Sequence, residues 1–286
     1  MVYPQIELGG SPEAFARIAT SIEDMGLKNL VLYDHVVGAV HEGRDPPLTG
    51  PYTQDDPFHD PFVAFGYAAG LTKELEFVTG VLILPQRQTV LVAKQATDVA
   101  LFSGGRLKLG VGIGWNFVEY DALGQDFSKR GKRLDEQIPF LRRLWSESAI
   151  EWQGQFDRID RGNIIPRPSH PIPILCGGVS DAAYNRAARL ADGFIFAGGG
   201  VPRIIPIWQS FKERLAQNGR SFDGFIGHSL IMNPERTGID PQGAADDIRR
   251  WQDAGGTDAS IVTMGRGYTT VEQHLDYVNE VYQLVK

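Results

Sequence analysis

The chain has 286 residues, 42% hydrophobic and 22% charged, with a formal net charge of −7. This is ordinary globular composition, and the acidic balance argues against a nucleic-acid grip, which needs a basic face. No run approaches the roughly 18 apolar residues of a membrane span, and "MVYPQIELGG" at the start has neither the basic region nor the apolar core of a signal peptide, so a cytoplasmic location is expected.

Taken in chain order, short apolar runs alternate with helical patterns. "PQIEL" near 4–8 reads as a first strand. Ser11-Pro12-Glu13 supplies an N-cap, a proline at the first helical position and an early acid, and Gly26 closes that helix. "KNLVLY" at 28–33 is a second strand, followed by a long Gly-, Pro- and Asp-rich segment at 36–59. Asp60-Pro61 opens another helix, "LEFVTGVLIL" at 75–84 is a third strand, and a helix from Thr89 to Ser103 ends at Gly104-Gly105. "RLKLGVG" at 106–112 is a fourth strand. The helix after it carries Leu134, Ile138, Leu141, Leu144 and Trp145 at helical spacing. A second long segment, 148–171, begins with "AIEWQGQFDRID", which reads as a small hairpin, and continues as a proline-rich link. Strands at 172–177, 193–198, 225–232 and 259–265 then alternate with helices headed by Ser180 and fitted to 202–218, 241–254 and 270–284.

Strands alternating with helices imply a parallel sheet covered by helices. Eight units favour a closed (β/α)8 TIM barrel over an open doubly wound sheet. We expect one domain over 1–286, with insertions after strand 2 and before strand 5 that serve as lids or binding loops. Cys176 is the single cysteine, which excludes an internal disulfide and a cysteine zinc cluster; at the end of "IPILC" it reads as a buried strand residue. Histidines 35, 41, 59, 170, 228 and 274 show no H-x-x-x-H or H-x-H spacing, so no metal site is expected.

Barrel enzymes build their sites from C-terminal strand ends and the loops after them. Here those ends are Tyr33-Asp34-His35, Thr79-Gly80-Val81, Gly112-Ile113-Gly114-Trp115 with Glu119 one turn on, Cys176-Gly177-Gly178 before Ser180, Ala197-Gly198-Gly199-Gly200, and Gly265-Arg266-Gly267. Gly110, Gly112 and Gly114 alternate, so they strip one face of side chains; either backbone packs there or a ligand does. The turns at 112–114 and 177–180 read equally as plain turns or as cradles for a phosphate-bearing cofactor, since glycine lets backbone N–H groups approach an anion. G-V-G-I-G is not the dinucleotide fingerprint, whose third glycine would fall at Phe117. Asp34-His35 is the best candidate for proton chemistry, against a loop histidine beside a capping acid. Glu119 is a general acid or a first-turn helix acid. Trp115 is a wall for a ring system or a core aromatic. His228 either faces the barrel mouth or is a hydrogen-bonded interior histidine. Arg130, Lys132 and Arg133 reach a phosphate or form a solvated face.

"LPQRQTVLVAKQATDVALFSGGRLKLGVGIGWNFVEYDALGQDFSKRGKRLDEQIPFLRRLW" resembles the signature core of the bacterial luciferase-like monooxygenase superfamily, and "PIPILCGGVSDAAYNRAARLADGFIF" resembles its second block. With "DHVV" after strand 2, the resemblance covers about 28–198 closely, and the tail in pattern only. "DHV", "LPQR" and "GVGIGW…EY.ALG" are most similar to the branch that uses the deazaflavin coenzyme F-420. The resemblance implies a (β/α)8 barrel that binds F-420 or reduced FMN, acts on a small organic substrate and forms a homodimer. Asp34 and His35 would face the cofactor ring, with Asp34 orienting His35, and the candidate catalytic residues are Asp34, His35 and Glu119. Gly80-Val81 would be a bulge supporting the ring, often with a cis peptide, and Thr79 before it is a further cofactor-binding candidate. Gly112, Gly114 and Trp115 would line the cofactor, the 112–114 turn standing open for it, and Gly177, Gly178 and Ser180 would take its phosphate side. The implied activity is hydride transfer between F-420 and substrate. The alternatives are an FMNH2-dependent monooxygenase acting with oxygen and a non-catalytic flavin-binding barrel. The deazaflavin lacks the ring nitrogen that flavins use with oxygen, so the first two differ in chemistry. No family motif accounts for 36–59, which leaves the substrate open.

Overall fold

The apolar runs form parallel strands of one sheet in a computed structural model, which describes residues 1–232 and 240–286. β1 (Asn29–Leu32), β2 (Glu76–Thr79), β4 (Leu107–Gly112), β7 (Ile174–Gly177), β8 (Gly193–Ala197), β9 (Ile226–Ile231) and β10 (Asp258–Ile261) neighbour one another in that order. β3 (Leu82–Ile83) continues β2 after a break and pairs with β4. Residues 1–3 supply the closing stave. The Val2 N–H donates to Ile261 O (2.9 Å), and the Tyr3 N–H donates to Val31 O (2.9 Å). The result is a (β/α)8 barrel.

The first predicted strand is corrected. Gln5–Leu8 is a short helix, α1, and the strand-like pairing lies just before it. A short apolar run carries too little periodicity to separate the two states. Here the Gln5 side chain decides, donating to Tyr33 O (3.0 Å) and accepting from the His59 N–H (2.9 Å).

The helices on the outside are α2 (Pro12–Asp24), α3 (Pro61–Leu71), α4 (Thr89–Phe102), α5 (Phe117–Ala122), α6 (Arg130–Ser146), α7 (Asp181–Leu190), α8 (Val201–Gln217), α9 (Pro241–Asp253) and α10 (Val271–Val285). Ser11, Asp60 and Ser180 cap their helices as their sequence positions imply. The predicted hairpin forms from β5 (Ile150–Gln153) and antiparallel β6 (Arg158–Gly162). Alternate strand residues serve two apolar layers. Leu30, Leu32, Phe77, Leu109 and Phe194 face the helices, while Val31, Val78, Leu175, Ile195 and Leu230 fill the barrel. Burial on both faces explains why these strands lack polar alternation. Among the described residues no helix is long and apolar enough to cross a membrane.

The N-terminal end of the barrel is closed by a polar plug. Lys108 Nζ lies 2.8 Å from Glu76 and 3.1 Å from Asp258. His228 Nε2 shares a hydrogen bond with Ser260 Oγ (2.9 Å), and that hydroxyl donates to Asn29 Oδ1. His228 is therefore an interior histidine, remote from the mouth, and burial pushes it down to about 3.

Candidate functional site

The chain leaves β1 through Tyr33, Asp34 and His35. The Asp34 carboxylate is buried; one oxygen accepts from the Ile83 N–H (2.9 Å) and Arg87 Nε (3.3 Å), and the other from Arg87 Nη2 (2.6 Å). Arg87 Nη1 reaches Asp60 (3.0 Å), whose other oxygen caps α3. Burial disfavours charge on Arg87, but the two carboxylates outweigh it and hold the guanidinium above its ordinary value. Asp34 thus fastens the exit of β1 to the segment after β3.

His35 has a different partner. Its Nδ1 is 3.4 Å from Glu119 Oε2, with side-chain exposures of only 11% and 2%. The other Glu119 oxygen accepts from the Val36 N–H (2.6 Å) and the Val37 N–H (3.1 Å). Asn116, the N-cap of α5, donates through Nδ2 to Val37 O (3.1 Å). The expectation that Asp34 orients His35 is therefore corrected: Glu119 does so. Successive residues in extended chain point to opposite sides, so Asp34 turns to Arg87 and His35 to α5. The rings of Phe58 (4.8 Å), Tyr52 (5.2 Å) and Trp115 (5.6 Å) surround His35. The 36–59 segment supplies two of these rings and lies over Trp115; a Cβ on Gly50 would fall 2.0 Å from the indole. That face of Trp115 is covered by the chain itself.

The alternating glycines also answer to the chain itself. A Cβ on Gly110 would lie 1.9 Å from Thr79 O. On Gly112 it would lie 2.5 Å from one Val81 methyl, and on Gly177 2.7 Å from the other. Gly114, at φ +63°, faces Ile83 at 2.9 Å. The expectation that the 112–114 turn stands open for a cofactor is thus overturned: Val81 and Ile83 occupy that space. The Gly80-Val81 peptide between β2 and β3 is cis, as the resemblance implies. Thr79 is fully buried and its hydroxyl donates to Gly110 O (2.6 Å), so its side chain serves the sheet and not a ligand. At the end of β7, Gly178 sits at φ +140° and the Ser180 hydroxyl accepts the Ala183 N–H that starts α7.

A cavity of about 550 Å³ opens at the mouth, lined by Tyr33, Tyr52, Met232, Val262, Arg203 and Arg266 among others. The Tyr33 hydroxyl is buried and has no hydrogen-bond partner among the described residues; burial also raises its pKa well above the ordinary value. His35 packs behind Tyr52, whose ring lines this cavity. Reading the sequence named Tyr33 and Arg266 only as strand-end residues and passed over Arg203 and Arg87. A strand-end rule that weighed the helix after each glycine turn would have found Arg203, three residues past Gly200.

A closed parallel barrel with a buried His–Glu pair and a cavity at its C-terminal mouth has the layout of a barrel enzyme. The sequence profile of the luciferase-like monooxygenases matches residues 3–258, and the chain belongs to that family of oxidoreductases. An uncharacterized protein of Mycobacterium tuberculosis is 36% identical over 248 residues, 85% of this chain and 83% of the relative. An F-420-dependent glucose-6-phosphate dehydrogenase of Nakamurella multipartita is 26% identical over 245 residues, 84% of this chain and 68% of the relative. Among solved structures, an F-420-dependent secondary alcohol dehydrogenase superposes with a TM-score of 0.77 at 15% identity, covering 95% of this chain and 94% of its own.

Proposed function

We propose that the protein transfers hydride between coenzyme F-420 and a small organic substrate, as a single barrel domain over residues 1–286 in a cytoplasmic homodimer. The observation that carries this reading is the His35–Glu119 pair, one ring away from the cavity behind Tyr52. Reducing a carbonyl leaves an oxygen that must gain a proton, and oxidising an alcohol requires one to leave. His35 is placed to handle that proton, while Glu119 holds the ring and balances its charge once protonated. The F-420-dependent relative supports the choice of deazaflavin.

The cavity fits such a group. It has apolar walls in Met232, Val262 and Met264 and a buried Tyr33 hydroxyl without a partner among the described residues, which suits a flat ring with a polar edge. Val81 would support the ring, Asp34 would fix the wall behind it through Arg87, and the backbone at Gly177 and Gly178 would face the cofactor's anionic side. When bound, F-420 supplies hydride in two-electron steps. Titrating both cofactors by fluorescence tests the reading, with F-420 expected to bind more tightly than FMN. Tighter FMN binding would move the reading to the oxygen-using monooxygenase, and binding of neither to a non-catalytic barrel.

Support for the homodimer comes from α3. It carries no charged residue, yet Val63 (72%), Tyr67 (47%) and Leu71 (39%) are exposed. A helix that is apolar on every side needs a cover on both, and a second copy of the chain provides one.

A further inference from the structure

The wall of the mouth cavity opposite β1 is built unlike the rest of it. β8 ends in Gly198, Gly199 and Gly200, at φ +84°, +84° and +73°, and runs straight into α8, whose first turn has no side-chain cap. A Cβ on Gly198 would meet nothing within 4 Å, so this turn, unlike the one at 112–114, is not filled by the chain. Arg203, in the first turn of α8, and Arg266, after β10, both line the cavity. Among the described residues the Arg203 side chain makes no hydrogen bond or ion pair. The Arg266 guanidinium lies 3.8 Å above the Tyr277 ring, and its Nε donates to the Tyr268 hydroxyl (3.3 Å), with no acid on its terminal nitrogens among the described residues.

Among the described residues, two carboxylates are close by and neither pairs with these arginines. Asp56 accepts from the Thr53 N–H (2.7 Å) and hydroxyl (3.0 Å). Glu7 accepts from the Gly265 N–H (2.6 Å) through one oxygen, and its other oxygen is buried without a partner among the described residues. The Tyr33 hydroxyl is an independent sign of a ligand. It belongs to a residue only 8% exposed, lines the same cavity and lacks a partner among the described residues. Buried polar atoms are satisfied in nearly all native structures, so this hydroxyl is suited to a polar group entering the cavity.

We infer that Arg203, Arg266 and the glycine turn entering α8 form an oxyanion site, which takes the phosphate or carboxylate of a molecule whose uncharged part fills the cavity against Tyr33. Two guanidinium groups and a helix N-terminus converge on the same space, each favouring negative charge. The inference rests on the cavity being the ligand site of the proposed reading, but not on which cofactor that site takes.

Calorimetric titration of the whole protein with inorganic phosphate tests it. Saturable binding is expected, weakened about tenfold or more by Arg203→Gln and by Arg266→Gln, as loss of a charge-assisted pair implies. Lys212→Gln, on the exposed side of the same helix, removes the same charge and should leave the affinity unchanged. Arg203 is exposed, so its variant folds even if the Arg266 variant loses its stacking. No saturable binding, or equal weakening in all three variants, would overturn the site. A second titration in the presence of F-420 separates the sources of the anion. Competition assigns it to the cofactor's tail, and simultaneous binding assigns it to the substrate. Phosphate binding that persists while neither F-420 nor FMN binds would remove the cofactor reading and leave the oxyanion site standing.

Discussion

The two ends of the barrel handle charge in opposite ways. At the N-terminal end Lys108 bridges Glu76 and Asp258, and His228, Ser260 and Asn29 pass hydrogen bonds from one to the next. At the mouth, among the described residues, the Arg203 side chain has no partner, Arg266 has no acid and the Tyr33 hydroxyl is buried without a hydrogen bond. Both ends are built from strand termini of the same sheet, so architecture does not explain the contrast. The polar groups of one end largely complete each other, His228 Nδ1 excepted among the described residues, and those of the other end stand free to meet whatever binds there. Stability and recognition are thus separated along the barrel axis.

Breaking the plug should have the largest effect. Lys108→Met strands two carboxylates at a half-closed end and should cost about 3–4 kcal/mol in urea unfolding, while the folded fraction keeps its cofactor affinity. Acid should act next. His228 is held down to about 3 and His274 to about 4, against an ordinary value of 6.5. The unfolded chain therefore takes up protons that the folded one refuses, so stability is full above pH 6.5 and falls as pH drops towards 4. The loss should be on the order of 3 kcal/mol for each histidine, and His228→Gln should flatten the slope of unfolding free energy against pH. At the mouth, His35→Asn should lower turnover about a hundredfold, the share expected of a proton-transferring side chain; unchanged turnover would reduce the His35–Glu119 pair to a clamp on the 36–59 segment. Gly112→Val should cost about 2 kcal/mol by overpacking Val81, with near-normal cofactor binding by the molecules that fold. Loss of affinity at full stability would instead restore the open-turn reading. Tyr67→Glu on α3 should leave monomer stability within about 0.5 kcal/mol and shift the mass by light scattering from dimer to monomer. A monomeric native protein would remove the homodimer from the reading.

Repetition made the fold legible. Seven strands, their helices and the caps at Ser11, Asp60 and Ser180 lie where local signals put them, because each signal acts within a few residues. The first strand failed because four apolar-rich residues cannot reveal that Gln5 will bridge Tyr33 and His59. The candidate site was legible in position more than in role. Glycine spacing reports that a side chain is missing, without reporting what fills the gap, and here Val81 and Ile83 fill it. Adjacency suggested Asp34 as the partner of His35, yet the carboxylate in question comes from Glu119, which also grips Val36 across 83 positions of sequence. Arg203 falls within an amphipathic helix pattern, where a lone cation reads as solvated surface; only the packing of α8 against the mouth brings it to the cavity.

The seating of Val81 has a consequence for how this barrel can change. One methyl faces Gly112 on β4 and the other faces Gly177 on β7, so three positions far apart in sequence share a single volume. None can enlarge alone without displacing another, but a smaller residue at 81 would free room at both glycines at once. Gly112→Ala should therefore be costly by itself and much less so beside Val81→Ala, a non-additive pair that a double-mutant cycle on unfolding free energy would register. Any lineage of this chain that alters one of the three must alter its neighbours in step, and the three positions would then drift as a unit.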